Sequence, residues 1–297
     1  MQDLSDKTAV VTGAASGMGR AFANRFAREG MNVVLSDIEA PKLDDAVAEV
    51  AAHGTRVIGQ ITDVADGAAV DQLADLAFGE FGGVHVLCNN AGVAEAPNPD
   101  FISVGAWEWV MGVNFWGVVH GHRAFIPRMI EQGEGHVVNT ASMAGHLPGH
   151  SPYTASKWAV VGITQGLYNT MATDQTGIGV SCLCPGWVRT EIAEASRNQP
   201  ESAAPPALYE PTEEQQATRA FVKAAIDGGM EPGARGCCCC RCGGMEPDAV
   251  ADLVHDAIVN NRFWIFTDLG MVEMLREKHA SIIENRNPQI FGIVDLD

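Results

Sequence analysis

Tyr153 and Lys157 stand four residues apart in the run Tyr153-Thr154-Ala155-Ser156-Lys157, a spacing that puts both side chains on one face of a helix. An ammonium group one turn away stabilises a phenolate and draws the phenol's pKa down toward the working range. Such a pair can take a proton from a hydroxyl group or, in reverse, give one to a carbonyl oxygen. Ser142, upstream at the end of an apolar run, can hydrogen-bond the same oxygen and fix its distance from a reaction partner.

A second constellation lies near the amino terminus. Thr12-Gly13-Ala14-Ala15-Ser16-Gly17-Met18-Gly19 follows a short apolar run and opens a helical stretch. Glycines there let the backbone turn tightly and approach a pyrophosphate, while the helix N-terminus offers N–H donors and a positive dipole. The spacing is Gly-x-x-x-Gly-x-Gly rather than the commoner Gly-x-Gly-x-x-Gly. The next apolar run ends at Asp37, 18 residues after Gly19. A carboxylate at that place accepts both hydroxyls of an adenosine ribose and repels a 2′-phosphate. Ala14, Ala15 and Ile38 bring no Arg or Lys to welcome that phosphate, so the expected cofactor is NAD rather than NADP. Its positive nicotinamide would help the ammonium stabilise the Tyr153 phenolate, and it would accept the hydride as Tyr153 removes the hydroxyl proton.

The elements that must position these groups alternate. Thr8–Val11, Met31–Ser36, Val57–Ile61, Val84–Leu87, the surroundings of Val137–Val138, and Val180–Leu183 read as short, continuously apolar strands. Helical patterns run from Gly19 to Glu29, Pro41 to Ala52, Ala68 to Phe78 and Tyr153 to Thr173. That alternation predicts a doubly wound α/β fold whose parallel sheet is covered on both faces, with ligands at the strands' carboxyl edge. A helix over Asp248–Val259, with Pro247 at its start, and a last strand at Phe263–Phe266 complete the series. Glu191–Pro211 holds four prolines and precedes a helical Glu213–Ile226. It reads as a mobile lid or substrate loop at the ligand edge, with a surface excursion of no role as the alternative.

With these motifs in order, the chain resembles the short-chain dehydrogenase/reductase family, and the resemblance covers most of its length. Gly13, Ser16, Gly17, Met18 and Gly19 stand in that family's cofactor turn. Asn89-Asn90-Ala91-Gly92 is similar to its Asn-Asn-Ala-Gly segment, and Asp63-Val64 to the pair that contacts adenine. Asn114 falls at its helix asparagine, Ser142, Tyr153 and Lys157 at its Ser…Tyr-x-x-x-Lys set, and Pro185-Gly186-Trp187-Val188-Arg189-Thr190 at the Pro-Gly segment over the nicotinamide. The resemblance implies a single Rossmann-like domain over 1–297, with a mostly or wholly parallel seven-stranded sheet and an excursion over 191–247. It also implies cofactor contacts from Asp37, Ile38, Asn90, Ala91, Gly92, Pro185, Gly186, Val188 and Thr190, a ribose contact from Lys157, and a relay water anchored by Asn114. Relatives commonly form homotetramers, which here would use Trp107–Met129, the Tyr153 helix and Phe263–Phe266.

The chain departs from its relatives between Ser142 and Tyr153, where ten residues stand instead of about a dozen. The pocket wall should therefore differ. His146 and His150 in that loop read as solvated side chains rather than acid/base groups. Trp187, Leu208 and Tyr209 either line an apolar substrate site or pack the excursion onto the core.

The 297 residues carry a formal net charge of -18, with 46% hydrophobic and 19% charged residues. Such a chain is globular, and its surface repels phosphate backbones and anionic lipid, so neither nucleic acid nor membrane is an expected partner. No apolar run reaches membrane-spanning length and Met1–Lys7 lacks the pattern of a secretion signal, so a cytoplasmic protein is expected. Cys88, Cys182 and Cys184 read as buried hydrophobes. Cys237, Cys238, Cys239, Cys240 and Cys242 crowd one stretch without the spaced pairs of a zinc site, and no metal is expected. Gly228-Gly229-Met230-Glu231-Pro232 recurs as Gly243-Gly244-Met245-Glu246-Pro247, which marks 233–247 as a 15-residue insertion tolerated in a loop.

The favoured reading is an NAD-dependent oxidoreductase that interconverts a secondary alcohol and a ketone. Two others stand beside it. One is a dinucleotide sensor or scaffold of the same fold, disfavoured by the joint presence of Ser142, Tyr153, Lys157 and Asn114. The other is an NADP-linked reductase of thioester-bound 3-oxoacyl groups, opposed by Asp37 and the acidic surface.

Overall fold

Strand β1 (Thr8–Thr12) is buried along its whole length, as a strand with helices on both faces must be. The computed structural model describes residues 1–94, 103–203, 213–227 and 244–287. Leu208, Tyr209 and the five clustered cysteines lie outside them. The other strands are β2 (Asn32–Asp37), β3 (Val57–Ile61), β4 (Val86–Asn89), β5 (Gly135–Thr140), β6 (Ile178–Cys184) and β7 (Trp264–Phe266). Together they form one sheet, parallel at every pairing, in the order β3-β2-β1-β4-β5-β6-β7. The order reverses between β1 and β4, which opens a crevice at their carboxyl ends.

Successive residues of each strand feed opposite layers. Val11, Leu35 and Cys88, in register with one another, pack with α1 (Gly17–Arg28), α2 (Ala40–Ala51) and α8 (Pro247–Val259). Val10, Val34 and Leu87, one residue back, face α3 (Gly67–Phe81) and α5 (Gly117–Gln132). Phe22, Phe26 and Phe125 are fully enclosed in these layers. Removing each such ring from water contributes roughly 1.5–3 kcal/mol.

The carboxyl edge carries the remaining elements. α4 (Val104–Met111) runs into α5 through one π-helical turn, Gly112–Trp116, so the expected helix over Trp107–Met129 contains a bulge. α6 (Pro152–Thr173) follows β5, and α7 (Glu213–Asp227) spans the predicted Glu213–Ile226 helix. The first part of the Pro-rich excursion is two 3-10 segments, Glu191–Asn198 and Glu201–Ala203. A further helix, α9 (Leu269–Ile283), had no sequence expectation. Among the described residues, no helix is long and apolar enough to cross a membrane, and no cluster of His, Cys, Asp and Glu could hold a metal ion.

The second copy of the duplicated segment has a structural job. The Met245 N–H donates to the Trp187 carbonyl at 2.9 Å, and the Arg189 N–H donates to the Met245 carbonyl at 3.0 Å, which makes a parallel bridge to Val188. Glu246 pairs with Arg189 and Pro247 starts α8. Deleting 228–242 or 233–247 yields the same chain, which keeps one copy for this bridge. That variant should fold, with a melting temperature within about 4 °C of the parent, because long loop insertions cost little. Loss of a cooperative melt would refute the insertion reading.

Candidate active site

The glycine turn is built for close approach. Gly13 has φ +66°, and a Cβ there would stand 2.8 Å from Ala91 Cα. A Cβ on Gly19 would lie 2.1 Å from the Gly13 carbonyl oxygen, so any side chain there would force α1 off β1. Thr12 Oγ1 accepts from the Asn90 and Ala91 N–H groups at 3.0 and 3.1 Å. The Asn90 amide donates to the Thr12 carbonyl at 3.0 Å and accepts from Thr140 Oγ1 at 3.2 Å. The ends of β1, β4 and β5 are thereby tied together below the crevice. Asp37, at the end of β2, accepts from the N–H groups of Ala15 (3.0 Å), Ile38 (2.7 Å) and Glu39 (3.1 Å), which aims its carboxylate at the same turn.

α6 starts where the proton-transfer chemistry needs it. Ser151 caps the helix by accepting from the Thr154 N–H at 3.2 Å, and Pro152 takes the first helical position, where its missing N–H costs nothing. Tyr153 therefore sits in the first turn and Lys157 in the next. Lys157 is 3% exposed, and its Nζ lies 5.6 Å from the Tyr153 ring centre and donates to the Thr140 carbonyl at 2.9 Å. Burial pushes its pKa down from 10.5 to about 8. Ser142 caps a short 3-10 turn: its Oγ accepts from the Ala144 N–H at 3.1 Å and donates to the Pro185 carbonyl at 3.4 Å.

A cleft of about 1170 Å³ joins these pieces. It is lined by Gly13, Ser16, Gly17 and Met18 of the turn, Asp37 at the end of β2 and Ile38 after it, Asp63 and Val64 after β3, and Asn90, Ala91 and Gly92 after β4. Ser142, Tyr153, Lys157, Pro185, Gly186, Val188 and Thr190 line it as well. Small-molecule sites run to roughly 300–1,000 Å³, so this one suits two ligands end to end.

Two sequence-selected residues stand behind the wall instead. Gly19 packs on the Gly13 carbonyl, as above. Asn114, 1% exposed in the π-helical turn, accepts from the Val93 N–H at 2.8 Å and donates to the Val93 carbonyl and Ser156 Oγ, each at 3.0 Å. Its amide clasps the segment after β4 to α6. His146 also differs from expectation. It is half-buried rather than solvated, with its ring 5.5 Å from Trp264 and 5.9 Å from Phe266, and burial lowers its pKa to about 4. His150 is exposed at the cleft, and Cys88, Cys182 and Cys184 are fully buried.

Sequence reading missed several residues of the site. Thr12 was read only as the opening of the glycine motif, without its own tie to Asn90 and Ala91, and Thr140 only as a neighbour of the Val137–Val138 strand. Thr267, whose Oγ1 accepts from the Gly186 N–H at 2.9 Å, belongs to no motif. Trp109, Phe221 and Met274 line the cleft from α4, α7 and α9. Arg197 of the excursion grips Glu39 with Nε and Nη2 at 2.7 and 3.0 Å, and Lys42 reaches Glu191 at 2.5 Å. These pairs strap the excursion across the β2 end of the cleft. The Arg197 guanidinium holds the Glu39 carboxyl down at about 2.

A doubly wound parallel sheet with a glycine turn at its switch point, and a Ser, Tyr and Lys converging beside it, defines a nucleotide-binding oxidoreductase fold. Comparison with known proteins narrows the class: a family of short chain dehydrogenases matches residues 7–201. The chain belongs to the short-chain dehydrogenase family. It is 45% identical over 270 residues to a 1-deoxy-11-beta-hydroxypentalenate dehydrogenase of Streptomyces avermitilis, covering 89% of this chain and 86% of that one. It is 30% identical over 300 residues to a CLA biosynthesis dehydrogenase/reductase of Lactiplantibacillus plantarum, covering 98% of both. Among solved structures, a short chain dehydrogenase/reductase from Burkholderia phymatum in complex with NAD superposes with a TM-score of 0.88 at 40% identity, over 99% of this chain and 100% of that one.

Proposed function

We propose that the protein is an NAD(H)-dependent oxidoreductase that interconverts a secondary alcohol and a ketone. The observation that carries this reading is the buried Lys157 ammonium one turn from Tyr153, in the cleft that Ser142, the glycine turn and Asp37 also line. The residues fit the dinucleotide. Gly13, Ser16, Gly17 and Met18 would hold its pyrophosphate, Asp37 and Ile38 its adenosine ribose, and Asp63 and Val64 its adenine. Asn90, Ala91, Gly92, Pro185, Gly186, Val188 and Thr190 would flank the nicotinamide half. When bound, the nicotinamide supplies the hydride acceptor or donor.

The remaining chemistry belongs to the chain. Ser142 holds the substrate oxygen by a hydrogen bond. Tyr153 takes the hydroxyl proton at its phenolic oxygen in oxidation and returns it to the carbonyl oxygen in reduction. Lys157 stabilises the phenolate electrostatically and holds the nicotinamide ribose. Asn114 supports α6 from behind through its bond to Ser156, and it would anchor a water of a proton relay. The chain of 1–297 would act as one catalytic unit, as a cytoplasmic homo-oligomer on an alcohol or ketone of apolar character. Trp109, Leu147, Trp187, Phe221 and Met274 along the cleft support that last trait. The activities in the relatives' names, dehydrogenation and reduction, point the same way.

An NADH absorbance screen against cyclohexanol, borneol and their ketones tests the reading. Tight NAD binding without turnover of any alcohol or ketone would favour the sensor instead. Asp37 tests the cofactor preference. Its carboxylate repels a 2′-phosphate, and Arg197, which lines the same cleft, is engaged by Glu39 and Glu191. Asp37→Ala should weaken NAD binding by about 10- to 100-fold, the worth of a charge-assisted hydrogen bond or two, and erode the preference over NADP by a similar factor. Equal NAD affinity in the variant, measured by fluorescence titration, would sink that assignment.

A further inference from the structure

The ten residues between Ser142 and Tyr153 form both the bridge between two groups of the proposed acid/base set and one wall of the cleft, through Leu147, Pro148, Gly149 and His150. Local bonds hold the two ends of this bridge: the N–H groups of His146 and Leu147 both donate to the Met143 carbonyl, at 2.9 and 3.2 Å, and Ser151 accepts from the Thr154 and Ala155 N–H groups, at 3.2 and 3.0 Å. Pro148, Gly149 and His150 form the outer part of the bridge, which is the more exposed. The carbonyls of His146 and Leu147 are secured from outside. Lys278 Nζ, on α9, donates to the His146 carbonyl at 2.7 Å. Trp158 Nε1, on α6 directly after Lys157, donates to the Leu147 carbonyl at 2.9 Å. The two anchors are themselves joined, because the Lys278 ammonium sits 3.5 Å above the Trp158 ring centre. At that distance a cation over an indole face is attracted by the ring's quadrupole, more strongly as water is excluded. Burial also draws the Lys278 pKa down.

α9 is fixed to the body of the fold and to the pocket at once. Leu275 packs on the core cluster of Val160, Val161 and Met143, and Met274, one turn before Lys278, lines the cleft. From this geometry we propose that Lys278 is a positioning residue that sets the shape of the substrate wall, by clamping the His146 carbonyl while resting on Trp158. The inference rests on the dehydrogenase reading and extends it from the acid/base set to the carboxyl-terminal helix. Ser142 is held independently by Ala144 and Pro185, and the turn that receives the dinucleotide lies elsewhere. A loosened wall should therefore weaken substrate binding while the chemical step and cofactor affinity stay close to normal.

The test uses Lys278→Met, which keeps an apolar stem over Trp158 but loses the donor and charge, and Lys278→Arg, which keeps both. With cyclohexanol and borneol as probes and NAD saturating, Lys278→Met should raise the substrate KM at least about fivefold, with kcat and the NAD Kd within about twofold of the parent, as removal of uniform binding predicts. Lys278→Arg should return KM to within about twofold, the guanidinium being able to donate and to stack. Hydrogen exchange supplies a readout free of turnover. A peptide covering 144–151 should exchange at least about fivefold faster in Lys278→Met and at the parental rate in Lys278→Arg, with peptides covering 13–19 and 191–198 unchanged. Unaltered exchange in 144–151, or an unaltered KM despite faster exchange, would overturn the proposal. So would a fall in kcat alone. The exchange comparison decides the role of Lys278 even where the parent is inert toward both probes, an outcome that would count against the dehydrogenase reading instead.

Discussion

Tyr153→Phe should lower turnover by about 10³-fold, in line with the 10²–10⁴ that a placed general acid/base contributes, while NAD binding changes by less than about threefold. The separation of the two effects follows from where the residue sits. The ring is retained with its packing beside Val93, Val110 and Ala195, and so are the backbone features that place the residue: the Ser151 cap, Pro152 at the helix start, and Ser156 Oγ donating to the Tyr153 carbonyl at 2.7 Å. Phenylalanine loses the phenolic oxygen and keeps the cap, the proline start and the Ser156 bond that hold the first turn of α6. The turn that would receive the pyrophosphate and the Asp37 carboxylate lie on other elements. Stopped assays at saturating NAD, with a parallel fluorescence titration, measure both quantities. Retention of a tenth or more of parental turnover would remove Tyr153 from its role.

Lys157→Met should cost a similar factor in turnover yet leave the melting temperature unchanged or raise it. An ammonium 3% exposed, donating to the Thr140 carbonyl, is held charged against desolvation. Its folded pKa of about 8 lies below the ordinary 10.5. Between those values the unfolded chain carries a proton that the folded chain lacks, so stability falls as pH drops from about 10.5 to 8, and the full cost persists below 8. Methionine removes that cost, and the enzyme loses the charge that would stabilise the phenolate. The same titration sets a limit on alcohol oxidation: kcat/KM should fall above about pH 8, as Lys157 loses its proton. A variant that melts well below the parent, or an oxidation rate still climbing past about pH 9.5, would show that Lys157 does not work by this charge.

Sequence alone was enough for the fold class and for the motif residues that meet at the cleft, from the glycine turn to Ser142, Tyr153 and Lys157. A short apolar strand such as Thr8–Val11 can be satisfied only with helices on both faces, and parallel crossovers of one hand bring every strand's carboxyl end to one edge. Glycines at 13, 17 and 19, an acid at the end of β2, and a Tyr and Lys four apart are local patterns whose meaning follows from local geometry. Other features depend on residues far apart in the chain and leave no local mark. Asn114 turned inward because the π-helical turn delivers its amide to Val93 and Ser156 rather than to the cleft. His146 left solvent because β7 presents Trp264 and Phe266 to it. Arg197 meeting Glu39 and Lys278 meeting the His146 carbonyl are encounters across 158 and 132 residues. Helix and strand periods, capping residues and turn glycines act between near neighbours, so a sequence displays them. Which distant side chain closes a wall or takes up a free carbonyl is decided by how the layers pack, and only the tertiary structure holds that information.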